Sequence, residues 1–278
     1  MTTTTPPQHM TTTGRPASGS LRRVVALVRA ETRLLVRNRT ALANALLLPL
    51  VMVGFFALVG GVAEADPVVA ATSVLGSLVS MCVLFVVFYN LTTAYVSRRE
   101  DRVLQRLLTG ECTRPEILLA AAVPALTVTL AQVVVGYVAV AVLVEPPGLV
   151  NPLLLGLAVI GGALLFGLLA AATSGLSRTV ESTQLTTLPV VVVALPFAGL
   201  GGPPGPAPGT LWEVARFTPL RPVVELVWLG VAGVDSDGHT LTFAETFAAA
   251  ALPVGVLTAW AVLGVLAARR WTRWEPRR

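Results

Sequence analysis

Three stretches of this chain carry residue types that can do chemistry. Asp235-x-Asp237-x-His239 sets two carboxylates and an imidazole in a Gly-containing loop. Acid–base or metal work at a lipid interface would need such a set, although the same spacing also makes an ordinary solvated turn. Ser174-Gly175-Leu176-Ser177 places a serine beside a glycine. A serine nucleophile needs a base within hydrogen-bond reach, and the two histidines, His9 and His239, fall outside every apolar segment, so this cluster reads as a helix end. The third stretch is the charged run Ser97–Glu116.

Other chemistry is excluded by what the chain lacks. It has no lysine, so the basic residues are 20 arginines, and a standard P-loop, whose lysine reaches the phosphates, is impossible. There is no HExxH pair. Cys82 and Cys112 cannot form a disulfide framework, and their spacing suits no metal. The expected catalytic and metal residues are therefore none. The net charge of +5 does not point to nucleic acid, because the arginines flank apolar runs and form no contiguous basic face.

In the charged run, Val103, Leu104, Leu107 and Leu108 give a helical apolar pattern, and Gly110 supplies a stop. Thr113 and Glu116 have the spacing of a capping box for the next helix. The run reads as a charged helix, a break and a return. It is either a solvated turn or a docking element that fits a groove on a partner.

These stretches are positioned by long apolar segments. Only 13% of the residues are charged, against 54% hydrophobic, and a spanning helix needs about 20 apolar residues. Six segments qualify: about 41–62, 68–96, 117–144, 152–176, 183–200 and 244–268. Pro49, Pro124, Pro189, Pro196 and Pro253 lie inside them, which is tolerated where neighbours satisfy the freed carbonyls. Gly162, Ala163, Gly167, Ala170, Ala171 and Gly175 give the fourth segment small faces for close packing. The segments are expected to bury no ionisable residue, and Asn90, Gln132 and Gln184 are among their few polar groups.

Residues 1–20 are rich in Thr, Pro and Ser and are expected to be a disordered tail. Residues 21–39 read as an amphipathic helix lying in the membrane interface. Arg22, Arg29, Arg33 and Arg37 fall on one face, opposite Leu21, Val24, Val25, Val28 and Leu35. Residues 201–243 form an outer loop, and its apolar stretch from Val223 to Val234 is too short to cross, so it reads as re-entrant or interfacial. Trp212, Phe217 and Trp228 are expected at headgroup level. Of the 20 arginines, 18 fall on one side of this topology. The positive-inside rule then puts both termini in the cytoplasm of a multi-pass plasma-membrane protein, with residues 269–278 as a basic tail.

The ordering resembles the type-two permease subunits of ATP-binding-cassette exporters, in particular the daunorubicin-resistance-like group. The features that carry the resemblance are the basic leading helix ending in Arg37-Asn38-Arg39, six spans, Arg99-Glu100-x-x-x-Leu104-x-Arg106-Leu107-Leu108, the return Thr113-Arg114-Pro115, and an apolar insert before the last span. The family usually has Glu-Gly where this chain has Glu100-Asp101.

The resemblance implies an all-α membrane fold over residues 41–268: six transmembrane helices preceded by an amphipathic interfacial helix, with short re-entrant helices before the last span. It also implies that the loop 97–116 couples to a separate ATPase subunit. Arg98, Arg99, Glu100, Asp101, Arg102, Leu104, Arg106, Leu107, Leu108, Thr113, Arg114 and Pro115 are the expected contacts. Arg22, Arg29, Arg33, Arg37 and Arg39 would hold the interfacial helix. A second permease subunit, identical or related, would complete the pathway. Candidate lining residues are Asn90, Gln132, Gln184, Glu225 and Trp228. ATP and Mg²⁺ would bind the partner ATPase, and no cofactor is expected on this chain. A path with few polar groups suggests a lipophilic or amphipathic export substrate. Two other readings stay open: a lipid-modifying membrane enzyme built on Asp235, Asp237 and His239, and a non-transporting scaffold or immunity protein.

Overall fold

The computed structural model describes residues 17–59, 65–109, 112–143, 148–198 and 215–272. Almost all of them are helical, and the antiparallel bridge Val234–Thr240 is the one β pairing among them. Helices α1 (Ala17–Arg37) and α2 (Arg39–Val59) are separated by Asn38. A 34-residue helical rod follows from Pro67 to Glu100. It consists of α3 (Pro67–Met81), a π-helical segment (Cys82–Tyr89) and α4 (Asn90–Glu100). Then come α5 (Val103–Thr109), α6 (Arg114–Leu143), α7 (Pro152–Ser174), and α8 (Val180–Ala194), which ends in a 3-10 turn, Leu195–Phe197. The last three are α9 (Arg221–Val231), α10 (Phe243–Ala249) and α11 (Ala251–Trp271).

Among the described residues, five helical segments are long and apolar enough to cross a membrane: Pro67–Glu100, Arg114–Val142, Pro152–Ser174, Val180–Phe197 and Ala251–Trp271. Helix α2 adds a shorter apolar stretch, Ala45–Phe55. At about 1.5 Å per residue the Pro67–Glu100 rod is about 50 Å long, well beyond the ~30 Å hydrocarbon core. It must therefore project from the membrane, and the projecting end carries Arg98 and Arg99.

The rod, α7 and α11 run in the same direction. Asn151, at the start of α7, donates from Nδ2 to Thr246 Oγ1 just ahead of α11 (2.9 Å), while Thr272, past the end of α11, donates to the Ala171 carbonyl (3.1 Å). The bundle thus has an arginine end (Arg98–Arg114, Arg178, Arg269, Arg270) and an acidic end (Asp66, Asp235, Asp237). Two spans start at the acidic end with the same local chemistry. Asp66 and Asn151 accept N–H bonds from the first turn, and Pro67 and Pro152 follow at positions whose own N–H is dispensable.

Helix α7 is central because it is narrow. In lipid, helices associate by close packing rather than by expulsion of water, so its small residues decide who its neighbours are. Gly162 faces Val223 of α9, and a Cβ there would stand 3.1 Å from the valine. Gly167 faces Leu91 of α4. Phe166 packs edge-on against Phe88 of the π segment, with centroids 6.1 Å apart. The π segment is a rare geometry, eight residues long, in which the Asn90 N–H reaches back five residues to the Phe85 carbonyl. Beside it, Gln132 of α6 accepts from Cys82 Sγ (3.2 Å) and donates to the Leu46 carbonyl (3.0 Å) in the turn that Pro49 interrupts.

The insert before the last span is where the fold departs most from expectation. Every residue of α9, Arg221–Val231, is buried. Its first turn lies at the depth of Gly162, midway along α7, and its last turn meets the start of α7, where the Asn151 N–H donates to the Gly230 carbonyl (2.8 Å). Eleven residues reach about 16 Å, so α9 is a half-length helix plugged into the bundle. Trp228 is fully buried against Gly76 of α3 and does not sit at headgroup level. Phe217 is exposed, and Trp212 lies outside the described residues. Two boundaries also differ from expectation: α1 begins at Ala17, inside the expected tail, and α11 runs through Arg269 and Arg270 to Trp271.

Candidate coupling interface

At the arginine end the rod stops at Glu100. The chain then turns through Asp101 and Arg102 and continues as α5. Arg102 has φ +57°, a left-handed conformation that suits glycine better than arginine. Two polar attachments fix the end of α4 to the rest of the fold, and a third ties the neighbouring helices α1 and α6 together.

The first is Arg99. It is 1% exposed and donates from Nη1 to the Ser174 carbonyl (2.8 Å) and from Nη2 to the Ser177 and Arg178 carbonyls (2.6 and 3.3 Å). The Ser174 carbonyl is one of those left without a helical partner where α7 ends, and the other two belong to the link to α8; a cation there also meets the negative end of the α7 dipole. The second is an ion pair between Arg98 and Glu31 of α1. Burial pushes the Glu31 carboxyl above the usual glutamate value, and the Arg98 guanidinium pulls it part of the way back. The third joins Arg23 of α1 to Glu116 of α6 at 3.3 Å, while Glu116 Oε2 accepts the Thr113 N–H at 2.7 Å. The latter is one half of the capping box expected from the Thr113–Glu116 spacing.

These contacts reassign several residues. Arg99 and Leu104 were expected to touch a partner. Arg99 is spent on the end of α7, and Leu104 is 3% exposed, packed inward. Leu107 and Leu108 are half-buried. The outward-facing groups are Glu100, Asp101, Arg102 and Arg106, with Arg114 and Pro115 beyond the break; Gly110 and Glu111 lie outside the described residues. On α1, Arg22, Arg29, Arg33 and Arg37 are exposed, as is Arg39 at the start of α2. The covered stripe is Val24, Leu27, Val28, Glu31 and Leu35, while Leu21 and Val25 of the expected apolar face are exposed. The pattern of α1 did not reveal that Glu31 would sit on its inner face, because the cation that explains it is 67 residues away.

The five candidate lining residues do not converge. Gln132 bridges α2, α6 and the π segment, Asn90 is half-buried on the rod, and Gln184 is on the exposed side of α8. Trp228 is packed in the core, and Glu225 is held by Arg221 at 2.8 Å, both side chains being about nine-tenths buried. The six spans were expected to bury no ionisable group; the short helix between the last two, α9, buries the pair Arg221–Glu225. Burying it is tolerable because each charge neutralises the other.

The remaining candidates lie at a helix end and in a turn. Ser174 closes α7, and its hydroxyl donates to the Ala171 carbonyl. Asp235, Asp237 and His239 bring their ligand atoms within 4.8 Å of one another. They do so as a turn, in which Asp235 Oδ1 accepts the Asp237 and His239 N–H groups (3.0 and 2.8 Å). Slight burial works to raise the Asp235 carboxyl, and those hydrogen bonds outweigh it and hold it below the usual aspartate value. Asp237 and His239 are exposed.

No curated protein matches the chain significantly. A family model described as the ABC-2 type transporter matches residues 22–229, from α1 through most of α9. That is well over half of the chain, and it takes in the turn, all three attachments and five of the six apolar segments. This chain belongs to the ABC-2 type transporter membrane family, as a membrane permease subunit of an ABC transporter.

Proposed function

We propose that the chain is the transmembrane half of an exporter in the daunorubicin-resistance-like group. It works as a homodimer or a related heterodimer, with the arginine end in the cytoplasm. Energy comes from a separate ATPase subunit that holds the ATP and Mg²⁺ and docks on the α4–α5 turn. The observation that carries this reading is the way the turn is built. Its outward face offers Glu100, Asp101, Arg102 and Arg106, while its inward side is fastened to α7 by Arg99 and to α1 by Arg98, and Arg23–Glu116 ties α1 in turn to α6.

A force applied to that face passes to α7 without slack. Helix α7 in turn carries α9 and α11, so movement at the arginine end reaches the plug at the other end of the bundle. ATP binding acts by favouring one of two arrangements of the paired subunits, through contacts made better in one than in the other. Apolar helix faces with few polar groups suit a lipophilic or amphipathic substrate such as a drug, an antibiotic or a lipid-like compound.

The test is reconstitution with a P-loop ATPase that copurifies with this chain. Glu100→Arg with Arg106→Glu, both exposed, should lower ATPase stimulation about tenfold or more while leaving the permease's own Tm unchanged. Undiminished stimulation would overturn the docking assignment.

A further inference from the structure

A cavity of about 520 Å³ opens between the start of α6, the second half of α7 and the end of α11. Its walls are hydrocarbon, with Leu118 and Ala122 from α6, Leu168 from α7 and Val265 from α11. Arg114 and Arg269 line its arginine-end mouth, one from the first residue of α6 and the other from the last turn of α11. Both are exposed. The Tyr95 and Thr272 hydroxyls of the lining donate to the Leu118 and Ala171 carbonyls, both at 3.1 Å. The deep part of the cavity therefore has little to offer a polar solute, and its mouth is lined by two exposed arginines.

We infer that this cavity is a binding site for an anionic phospholipid of the cytoplasmic leaflet, with one acyl chain between α6 and α11 and the phosphate headgroup between Arg114 and Arg269. The volume is within the usual range for a small-ligand site. Basic pockets between spanning helices on the cytoplasmic side match anionic headgroups, and long arginine side chains at helix ends reach the headgroup layer. The two arginines belong to helices that run in opposite directions past α7, so a phosphate held by both ties α6 to α11. The inference rests on the orientation proposed above, but its test does not: lipid binding to the purified permease is read whether or not an ATPase docks.

The experiment is native mass spectrometry of the full chain released from detergent, titrated with phosphatidylglycerol or phosphatidylcholine of the same acyl chains. The wild type should retain phosphatidylglycerol preferentially. Two basic groups near an anionic headgroup together change affinity by a factor of about thirty, so Arg114→Gln with Arg269→Gln should lose most of that preference. Arg102→Gln with Arg106→Gln removes the same charge away from the cavity and should keep it. Ala122→Phe, which fills the cavity and leaves both arginines, should also lose it. Millimolar inorganic phosphate should not displace the lipid. Equal retention of the two lipids by the wild type, equal loss in both arginine pairs, or displacement by inorganic phosphate would each overturn the inference.

Discussion

Replacing Arg99 with alanine leaves three carbonyls at the end of α7 without their donor, in a place the side chain had closed to water. The Ser174 and Ser177 contacts, at 2.8 and 2.6 Å, are good charge-assisted bonds, while the Arg178 contact at 3.3 Å is weak. Hydrogen bonds to charged groups are worth about 1.5–3 kcal/mol each. Bonds from one guanidinium are not additive, and water can partly replace them at a helix end. A loss of about 3–4 kcal/mol is therefore expected for Arg99→Ala. Arg99→Lys keeps the cation at the dipole's negative end but cannot fork across separate carbonyls, so it should recover only part of this. The assay is thermal unfolding of the purified permease together with amide exchange over residues 172–182. Exchange there should rise in Arg99→Ala while the acidic end stays protected. The functional signature is also specific, since the outward residues are untouched: Arg99→Ala should still bind the ATPase and fail to transmit its cycle. An unchanged Tm with unchanged exchange at 172–182 would refute the cap, and a folded variant that no longer binds the ATPase would return Arg99 to the docking face.

Other consequences can be checked in the same preparation. Breaking the buried pair with Glu225→Gln or Arg221→Gln should cost about 3–5 kcal/mol, whereas replacing both with methionine should be nearly neutral; equal losses for single and double changes would contradict the pairing. At Gly175 an added Cβ would overlap the Trp271 carbonyl, which is backbone and cannot swing aside, so Gly175→Ala should lower Tm by moving the end of α11 away from α7. Trp228 Nε1 has no hydrogen-bond partner among the described residues; Trp228→Phe should therefore be tolerated far better than Trp228→Ala, which is expected to cost about 3–5 kcal/mol. Because the folded Glu31 carboxyl titrates above its unfolded value, its favourable contribution is complete below the ordinary glutamate range and fades as pH rises through the folded value. The stability of the wild type relative to Glu31→Gln should thus improve as pH falls from neutral toward that range, and a pH-independent difference would contradict the burial of Glu31.

What the sequence made legible was what depends on neighbours within one or two turns. The apolar segments, the small face of α7 and the helix stops at Ser174 and Thr109 are all local patterns. So is the Thr113–Glu116 spacing, although half of that carboxylate's work is an ion pair with Arg23. Partners far along the chain left no trace. Arg99 looked like one more arginine in a charged loop, because the carbonyls it satisfies lie 75 residues on. Leu104 looked like a docking residue because an apolar stripe on a short helix does not say which side is covered. Glu225 looked to lie on a re-entrant or interfacial stretch because twelve apolar residues are too few to cross; nothing local shows that Gly230 lets the helix approach the α7 backbone, where a Cβ would come within 2.7 Å of Leu155 N. The left-handed Arg102 sits one residue after Asp101, the position at which this chain already departs from the glycine usual in the family.

The central claim is that the α4–α5 turn is where a separate ATPase delivers its energy. The most direct test is a photoreactive amino acid at Arg106, exposed on that turn, compared with one at Asp237, exposed at the acidic end. In membranes containing the intact transporter, Arg106 should crosslink to a P-loop ATPase with a yield that changes on adding ATP, and Asp237 should not crosslink to it. Crosslinking to the ATPase from Asp237, or none from Arg106 while the two subunits copurify, would contradict the account.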